Sequence, residues 1–158
     1  MRKSYIVSAK RTAIGSFLGG LATVKPKDMG SAVVKALLED ANVAPENVDE
    51  VICGNVLGAG LGQNIGRTIA LEAGIPETVC AHSVNMVCGS GLRTVMEAVM
   101  SIQCGFNDIV VAGGVESMSG APYLIPANTR TGNKMGNFTV VDHMIYDALT
   151  DALSLIHI

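Results

Sequence analysis

From the N-terminus to Glu116 the chain alternates short apolar runs with longer stretches of helical periodicity. Ser4 to Ser8 alternate loosely and read as a first strand. Pro26 and Asp28 open a helix that runs to about Ala41, with Met29, Val33, Ala36 and Leu37 as its apolar stripe. Asn42 and Pro45 end it. Val51 to Leu57 reads as a second strand, Gly58 to Gly62 as a flexible turn, and Asn64 to Glu72 as a helix closed by Gly74 and Pro76. A third strand covers Val79 to Val84, a helix Leu92 to Gln103, and a fourth strand Asp108 to Val115. The last is Ile-Val-Val-rich and apolar on both faces, as a central strand of a parallel sheet would be. Strands alternating with helices predict an α/β fold with right-handed crossovers: a mainly parallel mixed sheet with helices on both faces.

The helix after residue 91 has an unusual surface. Leu92, Val95, Met96, Ala98, Val99, Met100 and Ile102 cover roughly 200° of its circumference, wider than a one-sided amphipathic stripe. Arg93, Thr94, Glu97 and Ser101 hold the remaining sector. A helix this apolar is normally covered on more than one side, and the rest of this chain is not expected to supply all of that cover. After Glu116 the periodicity fades. Ser117 to Val141 is rich in Ser, Asn, Gly, Pro and Thr, and it reads as a loop excursion in which Tyr123, Leu124, Ile125 and Phe138 need burying. Met144 to Leu153 reads as the start of another helix. The division is therefore residues 1–116 as an α/β domain and 117–152 as the beginning of a loop subdomain.

Composition narrows the classes. The 158 residues suit one compact domain, 49% are hydrophobic, and 18 are glycine, which fits an α/β chain better than a disordered one. The net charge of −3, with both signs scattered, argues against a nucleic-acid surface. No basic cluster borders an amphipathic stretch, and no run approaches the ~20 apolar residues that span a bilayer, so no membrane partner is expected. The charged start, Met1 to Ser4, precedes too short an apolar run for a secretory signal. A soluble, cytoplasmic protein is expected. Cys53, Cys80, Cys88 and Cys104 have spacings that fit neither a zinc site nor a disulfide framework. Three of them are assigned to the core, and no metal ligand cluster is seen.

Cys88 is set apart by its neighbours. An apolar run from Val79 to Val87 leads into it, and Gly89-Ser90-Gly91 follows before the helical pattern begins. That places a thiol where a strand ends and a helix starts, an end whose free N–H groups favour an anion and so a reactive thiolate. A buried structural cysteine is the competing reading. His82, His143 and His157 are the available bases. His82 is expected to be partly buried and satisfied and His143 to lie on the surface, so no Cys–His pair is formed. The glycines at 58, 60, 62 and 66 raise a dinucleotide-binding turn, but Gly60-x-Gly62-x-x-x-Gly66 is one residue too long, and the acidic residue expected some 20 positions on is missing. A connecting turn explains them better.

Several segments, taken in order, carry a resemblance. They are Ile6-Val7-Ser8-Ala9-Lys10-Arg11-Thr12 with Ile14-Gly15-Ser16-Phe17, then Asp49-Glu50-Val51-Ile52 through Gly54-Asn55-Val56-Leu57 and Gly62-Gln63-Asn64. Asn85-x-x-Cys88-Gly89-Ser90-Gly91, Ala112-Gly113-Gly114 with Glu116-Ser117-Met118-Ser119, Lys134-Met135-Gly136-Asn137-Phe138 and Asp147-Ala148-Leu149-Thr150-Asp151-Ala152 complete the set. Together they resemble the thiolase family, in particular its acetyl-CoA C-acetyltransferases, from Ser4 to about Ala152. Ala13 stands where a proline is usual, and Ala148 where a glycine is common.

The resemblance implies the N-terminal half of a thiolase-like fold plus the start of its loop subdomain. It implies that Cys88 is the nucleophile, acylated by an acyl-CoA before the acyl group passes to a second acetyl-CoA, or the reverse thiolysis. The N–H of Cys88 would help hold an oxyanion, and Leu149 would touch the pantetheine arm of coenzyme A. Coenzyme A thioesters enter as substrates, with no cofactor bound permanently. Family members are usually dimers or tetramers, so a homo-oligomer is expected of the full-length protein. The family's Gly-His-Pro, Cys-x-Gly-Gly and Asn-His motifs, which supply its activating histidine and acid/base groups, do not occur in these residues. The chain is therefore expected to be a truncated and inactive portion. A non-catalytic acyl-CoA-binding or scaffold protein and a nucleotide-binding module are the alternatives. Leu153-Ser154-Leu155-Ile156-His157-Ile158 departs from the family and matches the translation of a common transposon sequencing adapter, so residues 153–158 are expected to be a non-native tail.

Overall fold

The computed structural model describes residues 2–154. Strands β1 (Glu50–Gly54), β2 (Cys80–Val84) and β3 (Val110–Gly114) form one parallel sheet in the order β2-β1-β3. Register aligns Glu50 with Cys80 and Val110, and Gly54 with Val84 and Gly114, so all three strands finish at one edge. The crossover from β1 to β2 passes through α2 (Ile65–Glu72), and that from β2 to β3 through α3 (Ser90–Cys104). Helix α1 (Pro26–Ala41) comes before the sheet and packs on α2. The α/β architecture read from the alternating periodicity is present.

Strand pleating sorts the side chains. Val51, Cys53 and Val111 join Val34 and Leu38 of α1 and Ile65 and Ile69 of α2 in the main core. Ile52 and Gly54, at alternate positions, turn to the face that carries α3. The contact ridge of α1 differs from the stripe expected from sequence. Val34 and Leu38 are buried, Met29, Val33 and Leu37 flank them half-buried, and Ala36 is exposed. Gly30 explains the rotation: a Cβ there would stand 2.4 Å from Cδ1 of Ile69. A glycine adds nothing to an apolar count, yet it marks where the two helices touch.

Ser4 to Ser8 form no strand. The segment has no regular structure, Ile6 is 82% exposed, and no strand among the described residues pairs with it. It is held by polar ties instead, Arg2 to Asp108 at 2.6 Å and Ser8 and Lys10 to Asp40 at 2.6 and 2.7 Å. These two donors hold the Asp40 carboxyl below its usual range. Period-two alternation reports a strand's two faces but not which edge accepts it, and neither edge strand, β2 or β3, pairs with this segment. Two of the cysteines assigned to the core are also misplaced: Cys53 is buried, but Cys80 and Cys104 are exposed at element ends.

Helix α3 sits on the sheet through its small residues. Ser90, Thr94 and Ala98 are buried on one ridge, while Leu92, Met96 and Met100 are 68%, 47% and 45% exposed on another. The flat surface made by Gly54 and Gly114 selects the small side chains. The large apolar ones are left facing outward, as the breadth of the apolar sector predicts. We expect the purified chain to bind a hydrophobic dye and self-associate. Met96→Glu should reduce both effects while changing stability by less than about 0.5 kcal/mol, because the side chain lies largely in solvent. Dye fluorescence and a denaturation curve check this.

After Glu116 the chain forms an antiparallel pair, β4 (Tyr123–Leu124) with β5 (Val141–Asp142), and a single 3₁₀ turn (Ala127–Thr131) lies between them. Leu124 is partly covered, but Tyr123, Ile125 and Phe138 are exposed rather than buried. A π-helical turn, Met144–Leu149, replaces the helix expected to reach Leu153. Leu155 to Ile158 of the expected tail lie outside the described residues.

Candidate functional site

The sheet's C-terminal edge, where open α/β sheets place their ligands, carries a tight reversal between β2 and α3. β2 ends at Val84 and α3 starts at Ser90, and the five residues between reverse direction. Val87 adopts φ +49°, a left-handed conformation that a β-branched residue takes only when its surroundings force it. Four hydrogen bonds do so. Asn85 Oδ1 accepts the Val87 N–H at 3.0 Å, and Gly89 N–H donates to Met86 O at 3.0 Å. The buried Ser90 hydroxyl accepts from Met86 N at 2.8 Å and donates to Val87 O at 2.6 Å. Held in this way, Cys88 is exposed at the head of α3.

Glycines bring that helix end close to the sheet. A Cβ on Gly54 would lie 2.7 Å from the carbonyl carbon of Ser90 and 2.8 Å from the nitrogen of Gly91. Thr94, fully buried, sets its hydroxyl 2.7 Å from Gly91 O and 3.1 Å from Gly113 O, pinning helix to strand.

Cys88 and Leu149, the two site residues expected from sequence, come together. Both line a cleft of about 460 Å³ whose walls include Val87, Gly91, Glu116 and Met118. Glu116 is the residue to which the sequence reading gave no role. Its carboxylate accepts from Asn55 Nδ2 at 2.9 Å, Val56 N at 2.9 Å and Leu57 N at 3.1 Å. This is why β1 stops at Gly54 rather than Leu57: the next amides are bound by a side chain and not by a strand. An acidic residue two positions after the paired glycines that end an apolar strand was the available signal.

The histidines divide. His82 is half-buried between Glu50 and Glu97, each 3.4 Å from a ring nitrogen, as expected of a satisfied residue. Arg93, then His82, hold the Glu97 carboxyl below its usual range. His143, expected on the surface, is 6% exposed. Its ring pairs with Asp147 and accepts the Ala59 N–H, so local partners drew it inward. His157 lies outside the described residues.

The start of α2 explains the glycine turn. Asn64 Oδ1 caps Arg67 N at 3.0 Å, and Ser83 Oγ accepts the Gly66 N–H at 3.1 Å, so side chains occupy the amides a phosphate would need. Gly66 serves packing, because a Cβ there would stand 2.5 Å from His82 O. No group of three or more metal-ligating side chains occurs among the described residues.

The family model described as the thiolase N-terminal domain matches residues 4–158. The chain belongs to the thiolase family. Acetyl-CoA acetyltransferases from Chromobacterium violaceum and Escherichia coli are 53% and 51% identical to it over 152 and 149 residues. A mouse protein named cytosolic acetyl-CoA acetyltransferase is 53% identical over 152 residues. These alignments cover 94–96% of this chain but 38% of each relative. The crystal structure of an Ascaris suum thiolase in complex with coenzyme A superposes with a TM-score of 0.91 at 37% identity, over 97% of this chain and 39% of that one. The chain thus spans well under half the length of these relatives.

Among the cysteines the one buried thiol, Cys53, makes a useful contrast. Burial pushes Cys53 up to about 11. A thiol reagent near pH 8 should therefore leave Cys53 unmodified until the chain is unfolded in denaturant, as mass mapping of the alkylated peptides would show.

Proposed function

We propose that this segment carries the nucleophile of an acetyl-CoA acetyltransferase, with Cys88 forming the acyl-enzyme. The observation that carries the reading is the exposed thiol held at a strained strand-to-helix turn, in a cleft shared with Leu149. Cys88 sulfur attacks the thioester carbonyl of an acyl-CoA, and the tetrahedral oxyanion faces the Cys88 N–H just ahead of α3, the Gly89 and Ser90 N–H groups being bound to Met86 O and Val87 O. The carbon–sulfur bond to coenzyme A then breaks, and the leaving thiolate takes up the proton released by Cys88. One thioester replaces another, so the exchange is close to balanced in energy. The acyl group next passes to the α-carbon of a second acetyl-CoA as its α C–H bond breaks, and that proton restores the thiol. In thiolysis the sulfur instead attacks the β-keto carbonyl of acetoacetyl-CoA, the C–C bond breaks with the thiol proton going to the released acetyl-CoA, and coenzyme A then takes the acyl group from the cysteine.

In this reading Leu149 packs against the pantetheine arm, coenzyme A thioesters are substrates, and no permanently held cofactor takes part. We place the protein in the cytoplasm, acting as a homo-oligomer. The cytosolic name of the mouse relative supports the first, and no helix among the described residues is long and apolar enough to cross a membrane.

The test is mass mapping of the purified chain after incubation with acetoacetyl-CoA. An acyl group on Cys88 supports the reading, and an acyl group on Cys80 or Cys104 instead would overturn it. Net thiolysis by residues 1–158 should be absent or several orders of magnitude below that of the full-length relatives, because no histidine of the described residues lines the cleft with Cys88. Turnover matching those relatives would contradict this.

A further inference from the structure

We propose that His143 is a positioning residue for the thioester site, fixing the wall of the cleft that carries Leu149. The proposal rests on reading that cleft as an acyl-CoA site. His143 follows β5 directly and is 6% exposed, so a polar ring is held where an apolar one would be the simpler filling. Its backbone N–H donates to Pro122 O at 3.3 Å, at the foot of the β4–β5 pair. Its Nδ1 pairs with the Asp147 carboxylate one turn on, and its Nε2 accepts the Ala59 N–H at 3.4 Å. Both ring contacts are met at once by the tautomer with its proton on Nδ1.

One ring therefore spans two separate parts of the chain: the glycine-rich turn after β1 and the π-helical turn Met144–Leu149. Among the described residues no other hydrogen bond joins these turns. The π-helical turn is itself closed at both ends, Asp142 Oδ1 accepting from Met144 N at 2.9 Å and Thr150 Oγ1 donating to Ile145 O at 2.8 Å. Asp147 and Leu149 lie two residues apart on it, and what His143 holds through Asp147 is the placement of Leu149 beside Cys88. Sequence alone hides this arrangement, because Ala59 contributes only its backbone.

Two alkylating probes applied to Cys88 of the chain as it stands test the proposal. Chloroacetyl-CoA must seat its pantetheine arm before the sulfur displaces chloride. Iodoacetamide needs only an accessible thiol. The unsubstituted chain should show a saturable rate advantage for chloroacetyl-CoA. His143→Phe, which keeps the volume but loses both ring contacts, should lower the chloroacetyl-CoA rate about tenfold, the equivalent of one charge-assisted hydrogen bond. The iodoacetamide rate should stay within about twofold, since the cysteine turn makes none of these contacts. His143→Gln, whose amide can accept from Ala59 and donate to Asp147, should retain most of the advantage. An unchanged advantage in His143→Phe, an equal slowing with both probes, or a Gln variant as impaired as Phe would overturn the proposal. No advantage in the unsubstituted chain would instead sink the reading of the cleft, and the proposal with it.

Discussion

Cys88→Ser should lower acyl-enzyme formation from acetoacetyl-CoA by about a thousandfold or more, the loss typical when a nucleophile is removed. Sulfur is intrinsically the stronger nucleophile, and a serine hydroxyl in the same place needs a strong base to match it. The cleft offers none. Glu116, the carboxylate on its wall, already accepts three N–H groups from Asn55, Val56 and Leu57. The substitution should leave the fold intact, because residue 88 is exposed and neither Ser90 nor Val87 relies on its side chain for a hydrogen bond. Mass mapping of the acylated chain and a thermal melt together separate the chemical loss from unfolding. A Ser variant that acylates within tenfold of the original would remove Cys88 from the mechanism.

Gly54→Val should be the most destabilising single substitution near the site. Any Cβ at that position meets backbone atoms of Ser90 and Gly91 below 3 Å, and backbone cannot rotate aside as a side chain can. Either β1 or the first turn of α3 must shift, at a cost of about 3 kcal/mol, the upper part of the range for overpacked cores. For a chain of this length that corresponds to a fall in Tm of roughly 6–12 °C. The same shift displaces Cys88, so its alkylation should slow even in molecules that remain folded. Gly113→Ala, in the neighbouring strand, is the control. Nothing lies within 4 Å of its Cβ position, and the change should be stability-neutral or slightly favourable. Equal losses at both positions would refute the close-approach argument.

The contrast between these glycines shows what periodicity conveys and what it misses. Three sheet strands and three helices were legible because each buries a face against the next layer, and burial writes its period into the residue types. The thiol between β2 and α3 was legible for the same reason, as the junction of two periods. The order β2-β1-β3 and the absence of a strand at Ser4–Ser8 were not, since pairing depends on which edges are free. Glycines at 30, 54 and 66 decide how close helices come to their neighbours, yet they are silent in an apolar pattern. Inverting the buried face of α3 onto Ser90, Thr94 and Ala98 follows from that silence: the glycine-paved sheet accepts small residues, and the large ones turn outward. Glu116 and His143 escaped for a different reason. Both act largely on backbone amides, of Val56, Leu57 and Ala59, which no side-chain motif records.

Helix α3 carries an exposed cysteine at each end, Cys88 beside its first turn and Cys104 as its last residue, and this offers the most direct measurement. Cys88 is held by its turn in the wall of the cleft ahead of the helix, whereas Cys104 sits outside the cleft at the carbonyl end. Time-resolved alkylation of the native chain at neutral pH, mapped by mass spectrometry, compares the two within one molecule. The account predicts that Cys88 is modified first and by a wide margin, with Cys80 and Cys104 trailing and Cys53 untouched. Cys104 reacting as fast as Cys88, or Cys88 staying unmodified while the others react, would contradict it.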